Sequence, residues 1–558
     1  MRISLYRAIW TVPVALVLTG CWNKGLLDVP NVNNPDVART YSSAAGVEGV
    51  IASTFQQIWA TEIGCMGCIQ TQAHNLAMEN YSELNNFTMN VRSLLPRAPI
   101  VNSRGNSAAS DNYNPYLNQS KVTRNAANGI QAMDRLLIAN APVTNALGSP
   151  AQDVRARSFA YFTIGWALGG LALAYDSAGI VTPATFNGSF PPLSGYQDVA
   201  KAALAMLDSA ILVANSPNAT VGANGFPLPT TWISGLAITQ AQFIQLVRTQ
   251  KARIRAGIAR TPAERAAVDW AAVIADAQAG ITADFVVTLS VAAGWSGAST
   301  YDVAQVYSLG WGSMDNMILG MADTSGAFAN FIGTPISSRN GAFLIRSPDQ
   351  RLPQGATRAA QLADTPLPLP KGRYFQNRDP GSDTPVAGYG FSFYDHRRYY
   401  AIRSNNGNGP WTAINKIEID MLQAEGYIRQ GNFAAAKTLI DASRARNGLP
   451  SIGNIASVST PIQGGANSCV PQVPQPPGFN TVGCGNIMEA MKWEKRMETV
   501  MSCMYLCWFT DSRGWGDLAQ NTALNWPVPY QEMDARLQPF YSLGGGAPAS
   551  APIGTYGY

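Results

Sequence analysis

The stretch Ala413–Leu449, AINKIEIDMLQAEGYIRQGNFAAAKTLIDASRARNGL, decides the fold. Ile414, Ile417, Met421, Leu422 and Ala424 recur at three- and four-residue spacing, and Tyr427 and Ile428 extend the same helical face. Gly431-Asn432 supplies a helix stop. Phe433, Ala436, Leu439 and Ile440 restart the period, and Arg444, Arg446 and Gly448 give the second helix the positive charge and the glycine that a C-terminus favours. Two helices folded back on each other leave one apolar face uncovered, so this segment requires further helices to stack on.

Working outward, the spacing Tyr427-x3-Gly431-x-Phe433-x2-Ala436 resembles a tetratricopeptide hairpin. Helical period returns at 44–60, 121–140, 151–175, 196–215, 240–259, 262–280 and 487–509. The expected fold is mainly α: tetratricopeptide-like helical-hairpin repeats in an α/α superhelix, with long loop-rich inserts and little β. Such a scaffold holds partners or ligands more readily than it performs chemistry. Along 487–509, Glu489, Glu494, Lys495, Arg496 and Glu498 are expected to face solvent. Asp349 and Arg351 are expected to form a local ion pair, worth about 0–1 kcal/mol if exposed.

The 558 residues suffice for a large core, and length alone suits about two to four domain-sized units. Only 13% of residues are charged and the net charge is +4, so no nucleic-acid partner is expected. Gly 51 and Pro 35 point to long ordered loops. Two histidines, His74 and His396, exclude a histidine-rich metal centre. No catalytic residue, metal ligand set or cofactor is assigned.

Two segments break the helical period, about 62–120 and 285–400, where aromatic and amide side chains interleave. A pyranose has an apolar face and a hydroxyl rim, and binding it needs flat rings flanked by amides. Tyr81, Asn85, Tyr113, Tyr116, Trp295, Tyr301 and Trp311 are the candidate ligand-binding residues, with Trp295 and Trp311 as platforms. Each has an alternative role in packing loops onto the helices.

Residues 1–20 read as an export signal, with Arg2 and Arg7 before the apolar run Ala8–Leu18. Leu18-Thr19-Gly20-Cys21 resembles a bacterial lipoprotein cleavage site, which would leave Cys21 as the lipid-bearing (palmitate-type) N-terminus and 21–43 as a tether. Six other cysteines remain, an even number suited to an exported protein. Their spacings suggest Cys65–Cys68, Cys469–Cys484 and Cys503–Cys507, of which the second closes a flexible loop and is the most credible bridge.

Several segments together resemble the SusD/RagB family of lipoproteins. They are Leu27-Asp28-Val29-Pro30, Asn33-Asn34-Pro35, Arg157–Phe162, Val268–Ala277 and Asp349-Gln350-Arg351-Leu352. The most specific are Lys492–Glu498, Cys507–Asp511 with Arg513–Leu518, and Trp526–Met533. Departures are the turn Tyr175–Ile180, Leu506-Cys507 before Trp508, and Asp534-Ala535-Arg536. The resemblance implies one SusD-like domain over 44–558, with its scaffold at about 121–280 and 411–520 and its ligand loops in the two inserts. It also implies an outer-membrane lipoprotein facing the cell surface, which binds a nutrient, foremost an oligo- or polysaccharide, and passes it to a TonB-dependent transporter. The rival readings are a helical-repeat protein–protein scaffold without glycan binding, and an anchored glycoside hydrolase. A hydrolase requires a close carboxylate pair, for which acids in the loops are sparse.

Overall fold

A computed structural model describes residues 37–558 apart from 85, 140–141, 143, 186–187, 189, 219–224, 298–311, 340, 381–388, 464–468 and 546–553. The principal helices are α1 (Ala44–Glu62), α2 (Ile69–Leu76), α3 (Met89–Ser93), α4 (Ala109–Ala139), α5 (Pro150–Ala174), α6 (Tyr196–Ala214), α7 (Gln240–Gly257), α8 (Pro262–Ala266), α9 (Trp270–Gln278), α10 (Lys416–Arg429), α11 (Phe433–Arg446), α12 (Ile487–Thr499) and α13 (Cys507–Trp515). The strands are short: β1 (Asn80–Tyr81), β2 (Ser177–Gly179), β3 (Leu193–Gly195), β4 (Phe285–Leu289), β5 (Ser313–Met314), β6 (Phe375–Asn377), β7 (Tyr394–His396), β8 (Gly409–Ile414), β9 (Gln472–Pro474) and β10 (Val482–Cys484). They pair only as two-stranded antiparallel ribbons, β1–β5, β2–β3, β4–β8, β6–β7 and β9–β10. The fold is mainly α, as the periodicity requires.

The hairpin α10–α11 forms where the sequence places it. Gly431 takes φ +75°, and the Asn432 N–H bonds to the Tyr427 carbonyl at 2.8 Å while the Gly431 N–H bonds to that of Ile428. This paired closure satisfies carbonyls that a helix end otherwise leaves bare. The Asn432 side chain then caps α11 by accepting from the Ala435 N–H at 3.2 Å. A β-carbon at Gly426 would lie 2.7 Å from Ile274, so glycine is what lets α10 close on α9.

Helix pairs stack in the order α1–α4–α5–α6–α7–α9–α10–α11, with α12 across α10 and α11. Helices α9 and α10 pack directly although the insert of 290–408 lies between them. The β4–β8 ribbon explains this, since one strand carries the chain into the insert and the other brings it back. The insert is thereby held at a neck beside the stack, and α9 and α10 behave as neighbours. A continuous apolar core extends from Val47 to Tyr558, and a smaller cluster around Met421, Ile440 and Met491 fills the space under α10–α12.

Three expectations are corrected. The segment 62–120 contains α2, α3 and the first turns of α4, so it is not a continuous loop. The segment 262–280 is two helices, because Asp269 starts a new one by accepting from the Ala272 N–H at 3.0 Å. The segment 487–509 is also two helices, α12 and α13, with Met501 and Leu506 at positive φ between them. There the Met501 N–H bonds to Glu79 Oε1 at 3.0 Å and the Leu506 N–H to Gln70 Oε1 at 2.8 Å. Side chains from the other end of the chain take donors that a continuous helix would have used.

Charge on α12 is also corrected. Glu489, Glu494, Lys495, Arg496 and Glu498 are all buried. Lys492 pairs with Glu489 and Asp517, Arg496 with Asp517 at 2.6 Å, and Lys495 with Asp511 at 2.6 Å. The Asp349–Arg351 pair is fully buried. Arg351 contacts Asp349 at 2.7 Å, Glu494 at 3.1 Å and Glu498 at 3.2 Å, tying the insert to α12. A second staple joins three helices: Arg265 of α8 holds Glu425 of α10 at 2.6 Å and Asp511 of α13 at 3.0 Å. Burial alone would raise the Glu425 carboxyl, but Arg265 holds it down to about 2.

Candidate functional site

The two inserts meet at the β1–β5 ribbon. Asn80 pairs with Met314 and Tyr81 with Ser313. An antiparallel ladder places Ser82 and Gly312 at the same end. Arg378 and residues 389–392 pack against the same ribbon. The Asn316 N–H bonds to the Gly390 carbonyl at 2.8 Å, the Ser392 N–H to Ser313 Oγ at 3.0 Å, and Arg378 donates to the Gly312 carbonyl. Described residues from three stretches distant in sequence, 80–93, 312–316 and 389–392, therefore form one loop cluster around the ribbon.

The floor of the cluster is packed. Tyr81 meets Tyr389 edge to face at 5.7 Å, and a β-carbon at Gly390 would stand 2.3 Å from the Tyr81 ring. The Tyr389 hydroxyl donates to the Ser93 carbonyl. Beneath lies Asp315, whose Oδ1 accepts from the Met317 N–H at 2.8 Å. Desolvation pushes its carboxyl up to about 7, against the lowering effect of that bond and of Arg97. At the rim, Phe87 adopts φ 52° and lays its ring against the turn Cys65–Cys68. Gly67 in that turn has φ +82°, and a β-carbon there would come within 2.3 Å of the Phe87 ring. Phe87 and Leu84 are half-buried and Met66 is exposed. Apolar surface at a loop edge suits a ligand with a flat apolar face.

No protein-family model matches the chain, and no curated protein matches it either. Solved structures do. A SusD superfamily protein from Parabacteroides distasonis aligns with TM-score 0.52 at 9% identity over 88% of this chain and 96% of its own. One from Bacteroides vulgatus aligns with TM-score 0.51 at 12% identity, covering 88% and 97%. One from Bacteroides thetaiotaomicron aligns with TM-score 0.51 at 10% identity, covering 88% and 98%. The chain has the SusD-superfamily fold.

In this SusD-like fold the candidate ligand residues scatter. Tyr81 is buried under the loop cluster, so it supports the site without lining an open surface. Tyr113 and Tyr116 sit on α4. Tyr116 is buried edge-on to Tyr175 at 5.0 Å, and neither belongs to the β1–β5 cluster. Trp295 is not a platform: it is buried at the neck of the insert, 5.5 Å from Trp59 and 6.4 Å from Phe55. Asn85, Tyr301 and Trp311, like Cys21, lie outside the described residues. Sequence reasoning missed Phe87, Met66 and Tyr389. The available signal was Gly67 inside Cys65-x-x-Cys68, a turn shaped to receive a ring.

The cysteines lie in the three proposed pairs, with Cα–Cα separations of 5.6 Å for Cys65/Cys68, 5.6 Å for Cys469/Cys484 and 6.1 Å for Cys503/Cys507. Among the described residues one group of potential metal ligands converges, Glu418 with Cys503 and Cys507. The Arg253 guanidinium already occupies the cation position there, 2.8 Å from Glu418 and 3.0 Å from the Cys507 sulfur. Both histidines are in the core. His74 Nδ1 is 2.5 Å from Glu79, and burial lowers the His396 imidazole well below its usual range.

Proposed function

We propose that the protein is an exported, lipid-anchored receptor that captures a nutrient, foremost an oligo- or polysaccharide, at the β1–β5 loop cluster and passes it to a TonB-dependent transporter in the outer membrane. On this reading residues 1–20 are the export signal, Cys21 carries the lipid, 21–43 is the tether and 44–558 is one ligand-binding unit. The observation that carries the proposal is the SusD-like fold with both loop inserts brought to one place by the β1–β5 ribbon. The lipoprotein-like Leu18-Thr19-Gly20-Cys21 supports the anchor. The cluster supports a ligand with flat apolar ring faces because its rim offers the half-buried Phe87 beside the exposed Met66.

Calorimetry of the mature protein against a panel of neutral and acidic polysaccharides tests the reading. At least one glycan is expected to bind, and Phe87→Ala is expected to weaken it by up to roughly tenfold, the scale of a lost aromatic contact, with the fold retained by circular dichroism. Binding of a purified transporter with no glycan bound at all would favour the protein–protein scaffold instead. Labelling cells with radioactive palmitate tests Cys21 separately, since Cys21→Ala should abolish incorporation.

A further inference from the structure

A second concavity lies at the far end of the β6–β7 ribbon. The ladder pairs Phe375 with His396 and Asn377 with Tyr394. Its Arg378/Ser392 end is the one joined to β5 and the loop cluster. The other end, carrying Tyr374 and Arg398, opens into a cleft of about 420 Å³ between the insert and α10–α12. That volume falls within the range of small-molecule sites. Leu369, Pro370 and Ile417 give it an apolar wall.

The polar side of the cleft carries excess positive charge. Lys371, Arg373, Arg398 and Arg446 line it against one acid, Glu498. Arg373 is neutralised by Asp364, with Nε to Oδ2 at 2.9 Å and Nη2 to Oδ1 at 3.2 Å. Glu498 is directed inward, accepting from Arg351 at 3.2 Å, Asn447 at 2.9 Å and the Tyr374 hydroxyl at 2.8 Å. No carboxylate among the described residues lies within ion-pair distance of Lys371, Arg398 or Arg446. Arg398 lies over the Tyr374 ring at 4.2 Å and donates one bond to the Glu498 carbonyl at 3.1 Å. Ile417 belongs to the first turn of α10, whose N-cap Asn415 makes no side-chain cap bond. The Lys416 N–H of that turn is taken by Asp284 Oδ1 at 2.8 Å, so the positive charge of the cleft is that of its side chains. Three cations around an apolar-walled cleft form a receptor for an anion with an organic body: guanidinium groups bind planar oxyanions, and the wall takes up a ring face.

We propose that this cleft is a second binding site, separate from the loop cluster, for a small organic carboxylate of the size of a uronic acid or its dimer. Lys371, Arg398 and Arg446 face the carboxylate, and Leu369, Pro370 and Ile417 take the apolar face of the ring.

The test is calorimetry on the mature protein with galacturonate, galactose and inorganic phosphate as probes. Galacturonate is expected to bind, galactose to bind at least about tenfold more weakly, and the double variant Lys371→Ala/Arg446→Ala to lose about tenfold or more, as expected for charge-assisted bonds. Both substituted side chains are exposed, so the fold is retained; circular dichroism verifies this. Arg398→Gln should weaken binding as well, and salt near 1 M, where the screening length is about 3 Å, should suppress it. Phe87→Ala should leave galacturonate affinity intact, which separates this site from the loop cluster. Absence of galacturonate binding, affinity unchanged in the double variant, or phosphate binding as tightly as galacturonate would each overturn the proposal.

Discussion

Replacing Arg351 by methionine removes the cation that joins the insert to α12 and keeps an apolar side chain of similar length. Arg351 is fully buried, with two contacts to Asp349 at 2.9 and 2.7 Å and further contacts to Glu494 at 3.1 Å and Glu498 at 3.2 Å. Each carboxylate keeps a neutral donor: Trp493 Nε1 for Asp349 at 3.0 Å, Ser443 for Glu494 at 2.7 Å, and Tyr374 for Glu498 at 2.8 Å. Arg444 lies 3.8 Å from Glu494, and Arg398 donates to the Glu498 carbonyl at 3.1 Å. Stripping one partner from a buried ion pair costs about 3–5 kcal/mol, and that range is expected for Arg351→Met at neutral pH. The loss must also depend on pH. Burial already raises the Glu494 carboxyl, and the Asp349 charge adds to this, while Arg351 and Arg444 oppose it. Without Arg351 the folded-state pKa rises further above the unfolded value. Stability is then retained below the unfolded pKa and lost as pH climbs through the folded one. Urea unfolding followed by tryptophan fluorescence at pH 5 and pH 8 measures both effects. The deficit should be smaller at pH 5, and adding Glu494→Gln should recover part of it at pH 8. A loss below about 1 kcal/mol that is equal at both pH values would refute the reasoning.

Other consequences are testable with the same assays. Glu62 is fully buried against Trp166 Nε1 at 3.0 Å and Gln119 at 2.8 Å, and desolvation pushes its carboxyl up to about 8 despite those bonds. Wild-type stability should therefore fall by a few kcal/mol between pH 5 and pH 9. Glu62→Gln should flatten that slope, and an unchanged slope would contradict the assignment. Trp295→Ala should destabilise by about 3–5 kcal/mol, as for a buried aromatic; a drop in ligand affinity at constant thermal midpoint would restore Trp295 as a platform. Replacing Cys469 and Cys484 together by alanine opens a loop with sequence separation 15, and should cost about 3 kcal/mol in the oxidised protein and nothing under reducing conditions.

Features of the fold that follow from local chemistry were legible in the sequence. The period of Ile417, Met421, Ala424 and Ile428, the stop at Gly431 and the cap at Asn432 all depend on residues within a few positions of one another. The breaks at Asp269 and at Met501–Leu506 were harder. The first depends on one capping side chain, and the second on Gln70 and Glu79, which lie more than four hundred residues away in sequence. The candidate site was legible only as two unusual inserts. Their meeting depends on β1–β5, a ladder of two residues per strand that carries no period. Trp295 shows the same limit, since an aromatic in a polar loop looks identical whether it faces solvent or packs on Trp59.

The buried charge on α12 did leave a trace in the sequence. Glu494 and Glu498 are four residues apart, so they share one helical stripe. Like charges at that spacing destabilise an exposed helix by a few tenths of a kcal/mol. On a solvated face two such acids are a small, purposeless cost. Between α12 and the insert they make a two-pronged acceptor for Arg351, whose third carboxylate, Asp349, comes from its own turn. With only 13% of residues charged, the chain places much of that charge inside, where it fixes which surfaces meet. The apolar periodicity says that helices stack; the acid pair on α12 says that something cationic from elsewhere must dock there. In this molecule the docking group is the insert that carries one wall of the loop cluster.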